Sequence, residues 1–355
     1  MKTIVLTGGG TAGHCIPCLA LLPHLKQHFD NIYYIGSENG IEKQLVKNAN
    51  IPYYAVPCIK LKRELCFDNI KIPFTLLKGV KNAGKLLDNL KPDVIFSKGG
   101  YVALPTVIAA KKRKIPVIAH ESDLTPGLAN KISSKYSKLV LTSFPETAKM
   151  LSNGKYVGPP IRQSNNTINN ENIIEKANFL VNKPILLIMG GSSGAKAIND
   201  CVENSIGALT EKFNVIHICG ANKKRTTVQK QGYYQVEFIN DMDKIFAKTA
   251  VCVARAGSNS LFELLNKKIP TVLIPLPKGN SRGDQVLNAE YFQKLGLVYV
   301  LNQNVLTPSS LNFAVNSVYA NKENIKKSFE KYPVEDASEK IVNIVRSYAN
   351  KWFYF

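Results

Sequence analysis

Two glycine-rich turns in this chain have the composition of phosphate-binding loops. Gly8–Gly13 and Gly190–Gly194 each follow a short apolar run, and each precedes a helix-like stretch. Glycine lets the backbone pass close to a phosphate, and a helix start offers unpaired N–H groups with a partial positive charge. One such turn in each half of the chain predicts a ligand held between two domains.

A histidine directly follows the first turn. The imidazole of His14 would stand where a general base reaches a bound hydroxyl group, which favours group transfer. The same turn also satisfies the dinucleotide fingerprint Gly8-x-Gly10-x-x-Gly13, and Glu38 has the place of the acid that binds a ribose in such sites. A nicotinamide-dependent oxidoreductase therefore stays open as the alternative.

The second half carries a small-residue turn, Arg255-Ala256-Gly257, between a buried run and a helix-like stretch that contains Glu263. A carboxylate at that place can accept both hydroxyls of a ribose while the N–H groups before it face a diphosphate. The polar start of a further helix, Asp284–Ala289, suits contact with a sugar. These features predict a nucleotide-sugar site.

An acidic pair resembles a metal motif by its spacing alone. Asp241-x-Asp243 has the arrangement that metal-dependent sugar-nucleotide enzymes use to hold a divalent cation. The pair opens an amphipathic stretch, 242–248, so a helix N-cap is the preferred interpretation. We therefore predict no metal site.

Short apolar runs that end in glycine or polar residues alternate with helical stretches, which is typical of a parallel sheet covered on both faces. The strands predicted in the first half are 3–7, 32–35, 94–96, 116–119 and 139–142. The series restarts with 185–189, 215–219, 236–239, 250–254 and 271–274. The pattern predicts an α/β fold with two doubly wound domains, a boundary near 163–172, and a final amphipathic helix with an aromatic end, 334–355.

Composition points to an acidic partner. The 355 residues carry a net charge of +20, and lysines interleave with apolar residues from Lys60 to Lys85. That mixture suits a surface on anionic lipid, although a solvated lysine-rich face explains it equally well. No zinc-finger, RRM or KH signature indicates nucleic acid. With no apolar run near the roughly 18 residues of a membrane span and no signal peptide, we expect a cytoplasmic location.

Seven cysteines lie scattered through apolar segments, and two of them have the spacing of a redox pair. Cys15-x-x-Cys18 directly follows the glycine turn, and no second such motif completes a zinc site. We therefore favour reduced, packed thiols over a thioredoxin-type pair.

Several motifs together identify a family. The chain closely resembles the MurG family of bacterial N-acetylglucosaminyltransferases over almost its whole length. The motifs that carry the resemblance occur in one order: Gly9–His14, His120–Asp123, Gly190–Lys196, Phe238–Met242, Arg255–Glu263 and Asp284–Ala289.

The resemblance implies a fold of the GT-B type, in which two doubly wound Rossmann-like parallel-sheet domains face each other across a cleft. Residues 1–160 would form the acceptor and membrane-associating domain, 161–334 the donor-binding domain, and 335–355 a helix that packs back on the first. The implied reaction is inverting transfer of N-acetylglucosamine (GlcNAc) from UDP-GlcNAc to the 4-hydroxyl of the MurNAc sugar of lipid I, undecaprenyl-pyrophosphoryl-MurNAc-pentapeptide, to make lipid II for peptidoglycan. Such an enzyme would be peripheral, on anionic inner-leaflet lipid at the cytoplasmic face of the membrane, without nucleic acid.

Site residues follow from the resemblance position by position. His14 matches the proposed base, and Asp123, which stands where many members have asparagine, is the second catalytic candidate. Ala12 stands where glycine is frequent. Matches to the sugar and diphosphate side are Thr11, Ala12, Gly13 and Arg162. Matches to the donor pocket are Ser192, Ile239 at the uracil, Ser258, Asn259, Ser260, Leu261, Phe262, Glu263 at the ribose, and Gln285.

No cofactor is implied, since helix dipoles can replace the metal. A non-catalytic lipid-binding adaptor with a degenerate sugar-nucleotide fold stays open beside the oxidoreductase.

Overall fold

The structure, a computed structural model, describes residues 1–60, 71–162, 177, 179–191, 194–225, 230–239, 242–279 and 282–349. The chain divides into two compact units. The first unit comprises Met1–Arg162 and Glu335–Phe355, and the second comprises Gln163–Val334. The region proposed above as the boundary, 163–172, and the aromatic end of the chain, 352–355, lie outside the described residues.

The first unit is built on a parallel sheet that has seven strands in its described part, in the order β3-β2-β1-β4-β5-β6-β7. Their bounds are β1 Thr3–Gly8, β2 Asn31–Ser37, β3 Tyr53–Val56, β4 Val94–Gly99, β5 Val117–Glu121, β6 Leu139–Thr142 and β7 Gly154–Tyr156. β1 and β4 are neighbours, so the direction of winding reverses between them. In doubly wound sheets ligands bind at the carboxyl ends of the strands beside this switch point.

Eight helices cover this sheet in the described residues. Their bounds are α1 Ala12–Ala20, α2 Leu22–Leu25, α3 Ile41–Asn48, α4 Ile72–Leu90, α5 Leu104–Lys112, α6 Leu128–Ser134, α7 Pro145–Lys149 and, from the end of the chain, α15 Ser338–Ala349. α15 buries Ile341, Val342 and Val345 in the same apolar cluster as Ile4 of β1. Burial of these side chains accounts for the return of the chain terminus to the first unit.

The second unit repeats the architecture with six parallel strands among its described residues, in the order β10-β9-β8-β11-β12-β13. The strands are β8 Ile185–Met189, β9 Asn214–Ile218, β10 Tyr233–Val236, β11 Thr249–Ala254, β12 Thr271–Leu273 and β13 Val298–Val300. The helices are α8 Lys196–Glu203, α9 Ile206–Lys212, α10 Asp243–Phe246, α11 Ser258–Asn266, α12 Asp284–Lys294, α13 Pro308–Ala320 and α14 Lys322–Lys331. The predicted fold of two doubly wound parallel sheets is confirmed.

The strand expected at 236–239 was placed three residues too late, since β10 covers Tyr233–Val236 and Ile239 lies in the loop after it. The helix-cap interpretation of the acidic pair is wrong for Asp243. That residue lies inside α10, where it pairs with Lys267 at 2.7 Å, and the cap position belongs to Met242. Its partner Asp241 lies outside the described residues.

The Cys15 and Cys18 thiols are both buried in the core of the first unit. Burial raises the pKa of Cys15 to about 12 and that of Cys18 further. A thiol that resists ionisation is a poor nucleophile, which agrees with a packing role for this pair.

Candidate active site

In the first unit, three loops meet at the carboxyl ends of β1, β4 and β5. The β1 loop contains Gly8–Gly13, and Gly8 pairs with Gly99 at the end of β4. Gly100 has φ +77°, and a Cβ atom there would lie 2.4 Å from the Gly9 carbonyl oxygen and 3.0 Å from Cδ2 of His14. The turn after β4 therefore packs against the Gly8–His14 segment through the Gly100 backbone, with no room for a side chain.

His14 is the third residue of α1 and is half-buried. Its Nδ1 lies 3.2 Å from the backbone carbonyl oxygen of Lys98. A carbonyl only accepts hydrogen bonds, so Nδ1 donates and the neutral ring carries its lone pair on Nε2. The contact fixes both the tautomer and the orientation that a general base needs.

The turn after β5 is organised by the carboxylate of Glu121. This buried group accepts hydrogen bonds from the backbone N–H groups of Ser122 at 2.8 Å, Asp123 at 3.0 Å and Gly127 at 3.2 Å, and from the Asn130 amide at 2.7 Å. Burial raises the pKa of Glu121, and the charge of Asp123 adds to this effect. Glu121 therefore shapes the loop that presents Asp123.

Behind this loop lies a buried ammonium group. Lys98 is 1% exposed, and its Nζ donates to the Ser122 hydroxyl at 2.5 Å. The neighbouring His120 is also buried, with Nε2 3.3 Å from the Gly158 carbonyl oxygen. Burial, assisted by the charge of Lys98, holds the pKa of His120 well below its usual range, so that ring is neutral.

A second buried carboxylate, Glu42, lies beneath the first glycine turn. It accepts hydrogen bonds from the N–H groups of Gly10 at 3.2 Å and Ser37 at 3.1 Å. A dinucleotide loop needs its N–H groups for a pyrophosphate, and here a protein anion already takes one of them. This arrangement disfavours nicotinamide binding at the turn, and Glu38, the suggested ribose acid, is exposed just after β2.

The remaining first-unit residues predicted from the resemblance lie around this edge. Thr11 is the exposed cap residue of α1, Gly13 is exposed in its first turn, and Ala12 is buried, so its methyl group packs inward. Arg162 is exposed at the last residue of the unit's first segment. Lys98, Glu42 and Gly100 were not singled out by sequence reasoning.

The second unit holds a pocket of about 500 Å³ at the carboxyl ends of β8, β11 and β12. Its lining residues are Gly190, Gly194, Ala195, Lys196, Ala197, Asp200, Arg255, Leu276, Gln285 and Gln303. Gln285, predicted as a donor contact, lines this pocket, and its Oε1 accepts a hydrogen bond from Leu276 N at 2.9 Å. Ser192 lies outside the described residues.

Arg255 is fixed on the pocket wall. Its guanidinium donates to the Ile274 carbonyl oxygen at 2.9 Å and to Gln303 Oε1 at 2.6 Å. Partial burial lowers its pKa, but arginine keeps its charge at neutral pH. Lys196, at the start of α8, pairs with Asp200 at 2.5 Å, so Arg255 and the N–H groups at the start of α8 are the groups at this end of the pocket that can hold a diphosphate.

The predicted donor segment 258–263 begins α11, whose cap residue is Gly257. Glu263 is half-buried, as are the three polar residues that open the helix. The side chains of Leu261 and Phe262 are buried, and Phe262 packs edge-on against Phe292 at 5.6 Å, so these two residues can contact a ligand only through their backbone. Ile239, the predicted uracil contact, is a loop residue with a buried side chain, so only its backbone can contact a uracil.

Comparison with known proteins agrees with this arrangement. The glycosyltransferase family 28 N-terminal domain matches residues 4–142, and the glycosyltransferase family 28 C-terminal domain matches residues 185–342. A UDP-N-acetylglucosamine–N-acetylmuramyl-(pentapeptide) pyrophosphoryl-undecaprenol N-acetylglucosamine transferase of Lachnoclostridium phytofermentans is 45% identical, over 97% of this chain and 98% of the relative. The protein of that name from Lachnospira eligens is 44% identical over 98% and 99%.

A solved structure gives the same result. The crystal structure of Acinetobacter baumannii MurG is 25% identical, with a TM-score of 0.77, over 98% of this chain and 100% of that one. The two doubly wound sheets, together with the family matches and this structural neighbour, define a nucleotide-sugar glycosyltransferase of the GT-B class. Within that class, the chain belongs to glycosyltransferase family 28, in the branch of these N-acetylglucosamine transferases.

Proposed function

We propose that this enzyme transfers GlcNAc from UDP-GlcNAc to the MurNAc sugar of lipid I, forming lipid II. The observation that carries the proposal is the pocket of the second unit, where Arg255, Lys196 and Gln285 surround a volume of about 500 Å³ suited to a nucleotide diphosphate. The names of the full-length relatives support the donor and the acceptor. The inverting course and the 4-hydroxyl target rest on the family resemblance.

On the donor side, charge develops on the UDP leaving group as the bond to the anomeric carbon breaks. Arg255 and the N–H groups at the start of α8 would meet that charge on the diphosphate, with Arg162 as a further cation. Glu263 would accept the ribose hydroxyls, and the backbone of Ile239 would contact the uracil. The opening polar residues of α11, 258–260, would complete the donor site.

On the acceptor side, the hydroxyl must lose its proton while its oxygen attacks the anomeric carbon. Nε2 of His14 takes that proton, the new C–O bond forms, and the electron pair of the broken bond leaves with UDP. The Lys98 carbonyl supports this role, because it holds the Nδ1 proton and stabilises the imidazolium that results. Asp123 is the alternative base.

The acceptor is a lipid, so we also propose that α4 meets anionic lipid. Phe74 is 73% exposed and Leu77 is 66% exposed, and Lys71 before them and Lys78 and Lys81 after them lie at helical spacing on the same side. Each lysine near an anionic surface contributes about 1 kcal/mol. The predicted patch also includes 61–70, outside the described residues, and no described helix is long and apolar enough to span a membrane.

The deciding experiment measures binding of UDP-GlcNAc against NAD(H), followed by UDP release with a soluble lipid I analogue. We expect selective UDP-GlcNAc binding and turnover. Selective NAD(H) binding would favour an oxidoreductase, and donor binding without turnover would favour the adaptor.

Lipid docking is tested separately on anionic vesicles. The triple variant K71E/K78E/K81E should bind them less well while keeping its affinity for UDP-GlcNAc. The matched control K326E/K327E/K331E makes the same charge change on α14. An equal loss of vesicle binding in both variants would show that net charge drives the binding and would contradict a specific role for α4.

A further inference from the structure

Lys98 is the most unusual charged residue of the first unit. It is the second-last residue of β4 and its side chain is wholly buried, whereas lysine heads normally remain in water. Transfer of an ammonium group out of water costs several kcal/mol, so the group needs partners of opposite charge. Ser122 Oγ accepts from Nζ at 2.5 Å, which places the charge at the turn after β5.

The charges around Lys98 come from two packed elements. Burial lowers the pKa of Lys98, and Glu121 and Asp123 on the β5 side, with the Cys18 thiol on α1, offset that shift only in part. His120 faces the group as a neutral ring. One buried cation is therefore set against two carboxylates in neighbouring positions of a single turn.

The same residue reaches the other catalytic candidate through its backbone. The Lys98 carbonyl oxygen lies 3.2 Å from Nδ1 of His14. The following residues, Gly99 and Gly100, both have positive φ, and only glycine allows Gly100 to lie against the His14 ring. A shift of the Lys98 side chain would therefore move His14 as well as the β5 turn.

We propose that Lys98 is a positioning residue for the transfer reaction. Its ammonium holds the Glu121–Asp123 turn in place, and its carbonyl holds His14 in the tautomer of a base. This inference rests on the proposed function, because it concerns the geometry of the acceptor half of that site. Lys98 itself contacts no substrate.

The test is Lys98→Met, which replaces the aliphatic stem with an unbranched side chain of similar shape and removes the charged Nζ. A displacement of about 1 Å in a catalytic group can cost on the order of 100-fold in rate, so we expect kcat to fall at least about tenfold. The Kd of UDP-GlcNAc should not change, because its pocket lies in the other unit. The matched control is Lys112→Met, an exposed lysine on α5, with unchanged kcat.

The pH profile separates positioning from general damage. Without the ammonium, the pKa of Glu121 rises further, and protonation of Glu121 would weaken the N–H hydrogen bonds that hold the Asp123 turn, so the acid limb of the kcat profile should move to higher pH. A purely structural loss would lower kcat by the same factor at every pH and would overturn the proposal, as would a kcat within twofold of the parent enzyme at all pH values.

If Lys98→Met does not fold, as judged by thermal unfolding, Ser122→Ala carries the test. It removes the acceptor of Nζ and leaves the lysine in place, and we expect a smaller fall in kcat with the same unchanged donor Kd. A Ser122→Ala enzyme with parental kcat would then refute the role. Absence of turnover in the unmutated enzyme would instead count against the proposed function.

Discussion

Gly100→Ala probes how closely the β4 turn holds His14, the proposed base. Gly100 has φ +77°, and an alanine in this left-handed conformation costs about 1–2 kcal/mol in the free energy of unfolding. Its Cβ would also lie 2.4 Å from the Gly9 carbonyl oxygen, a backbone atom that cannot rotate away. Overpacking of this kind adds about 1–3 kcal/mol. We expect a total destabilisation of about 2–5 kcal/mol.

Gly232→Ala is the matched control, because it imposes the same strain without the collision. Its φ is +81°, and the nearest atom to the added Cβ would be Asn214 Oδ1 at 3.5 Å, an ordinary contact. Only the conformational penalty of about 1–2 kcal/mol applies. Urea unfolding followed by circular dichroism should resolve this difference for the two variants.

Turnover gives the functional half of the comparison. Relief of the collision at Gly100 pushes the Gly9–His14 loop away, so kcat should fall at least about tenfold with an unchanged donor Kd. Gly232→Ala should retain parental kcat, because that turn precedes β10. Equal unfolding midpoints and equal kcat in the two variants would refute the contact between the β4 turn and His14.

Further outcomes follow from the site. His14→Ala should lower kcat by about 10²–10⁴ with little change in donor affinity, and a near-parental kcat would make Asp123 the leading base. Glu263→Ala should weaken UDP-GlcNAc binding in calorimetry, whereas a substitution at the exposed Glu290, Glu290→Ala, should not. Equal affinities of the two variants would contradict the proposed contact between Glu263 and the ribose. Burial lowers the pKa of His217 from 6.5 to about 4. Between these two pH values the imidazole is protonated in the unfolded chain and neutral in the folded protein. Stability is therefore complete above pH 6.5 and falls toward pH 4, by up to about 3 kcal/mol. His217→Gln should flatten that slope in urea unfolding measured between pH 7 and 5, and an unchanged slope would assign the loss to other groups.

The fold was largely predictable because its central strands are buried on both faces. β1, β4, β8 and β11 read as continuous apolar runs, and each was found within three residues of its bounds. The missed strands β3, β7 and β13 and the misplaced β10 are all edge strands. An edge strand is partly exposed and short, so it leaves no continuous apolar run in the sequence.

The candidate site was predictable only where its chemistry lies in a local motif. The turn with His14 is one continuous stretch of sequence, and so is the helix with Glu263, so their residue types are enough to identify them. Lys98 and Glu42 act across 24 and 32 residues, on Ser122 and Gly10. In a chain with many lysines and glutamates, nothing local distinguishes the ones that tertiary packing will bury.

The buried charges of the first unit are poorly explained by fold stability. An ion pair out of water rarely stabilises a fold, since apolar residues of equal volume pack in its place without the desolvation cost. The core of this unit consists of such apolar residues around Ile4 and Leu6, whereas Lys98 lies near the end of β4 with its carbonyl oxygen 3.2 Å from the His14 ring, and Glu121 ends β5. Stability alone would favour methionine at Lys98. Because Lys98 contacts the Ser122 turn through its side chain and the His14 ring through its carbonyl oxygen, we infer that these buried charges position His14 and Asp123, the two proposed bases, rather than stabilise the fold.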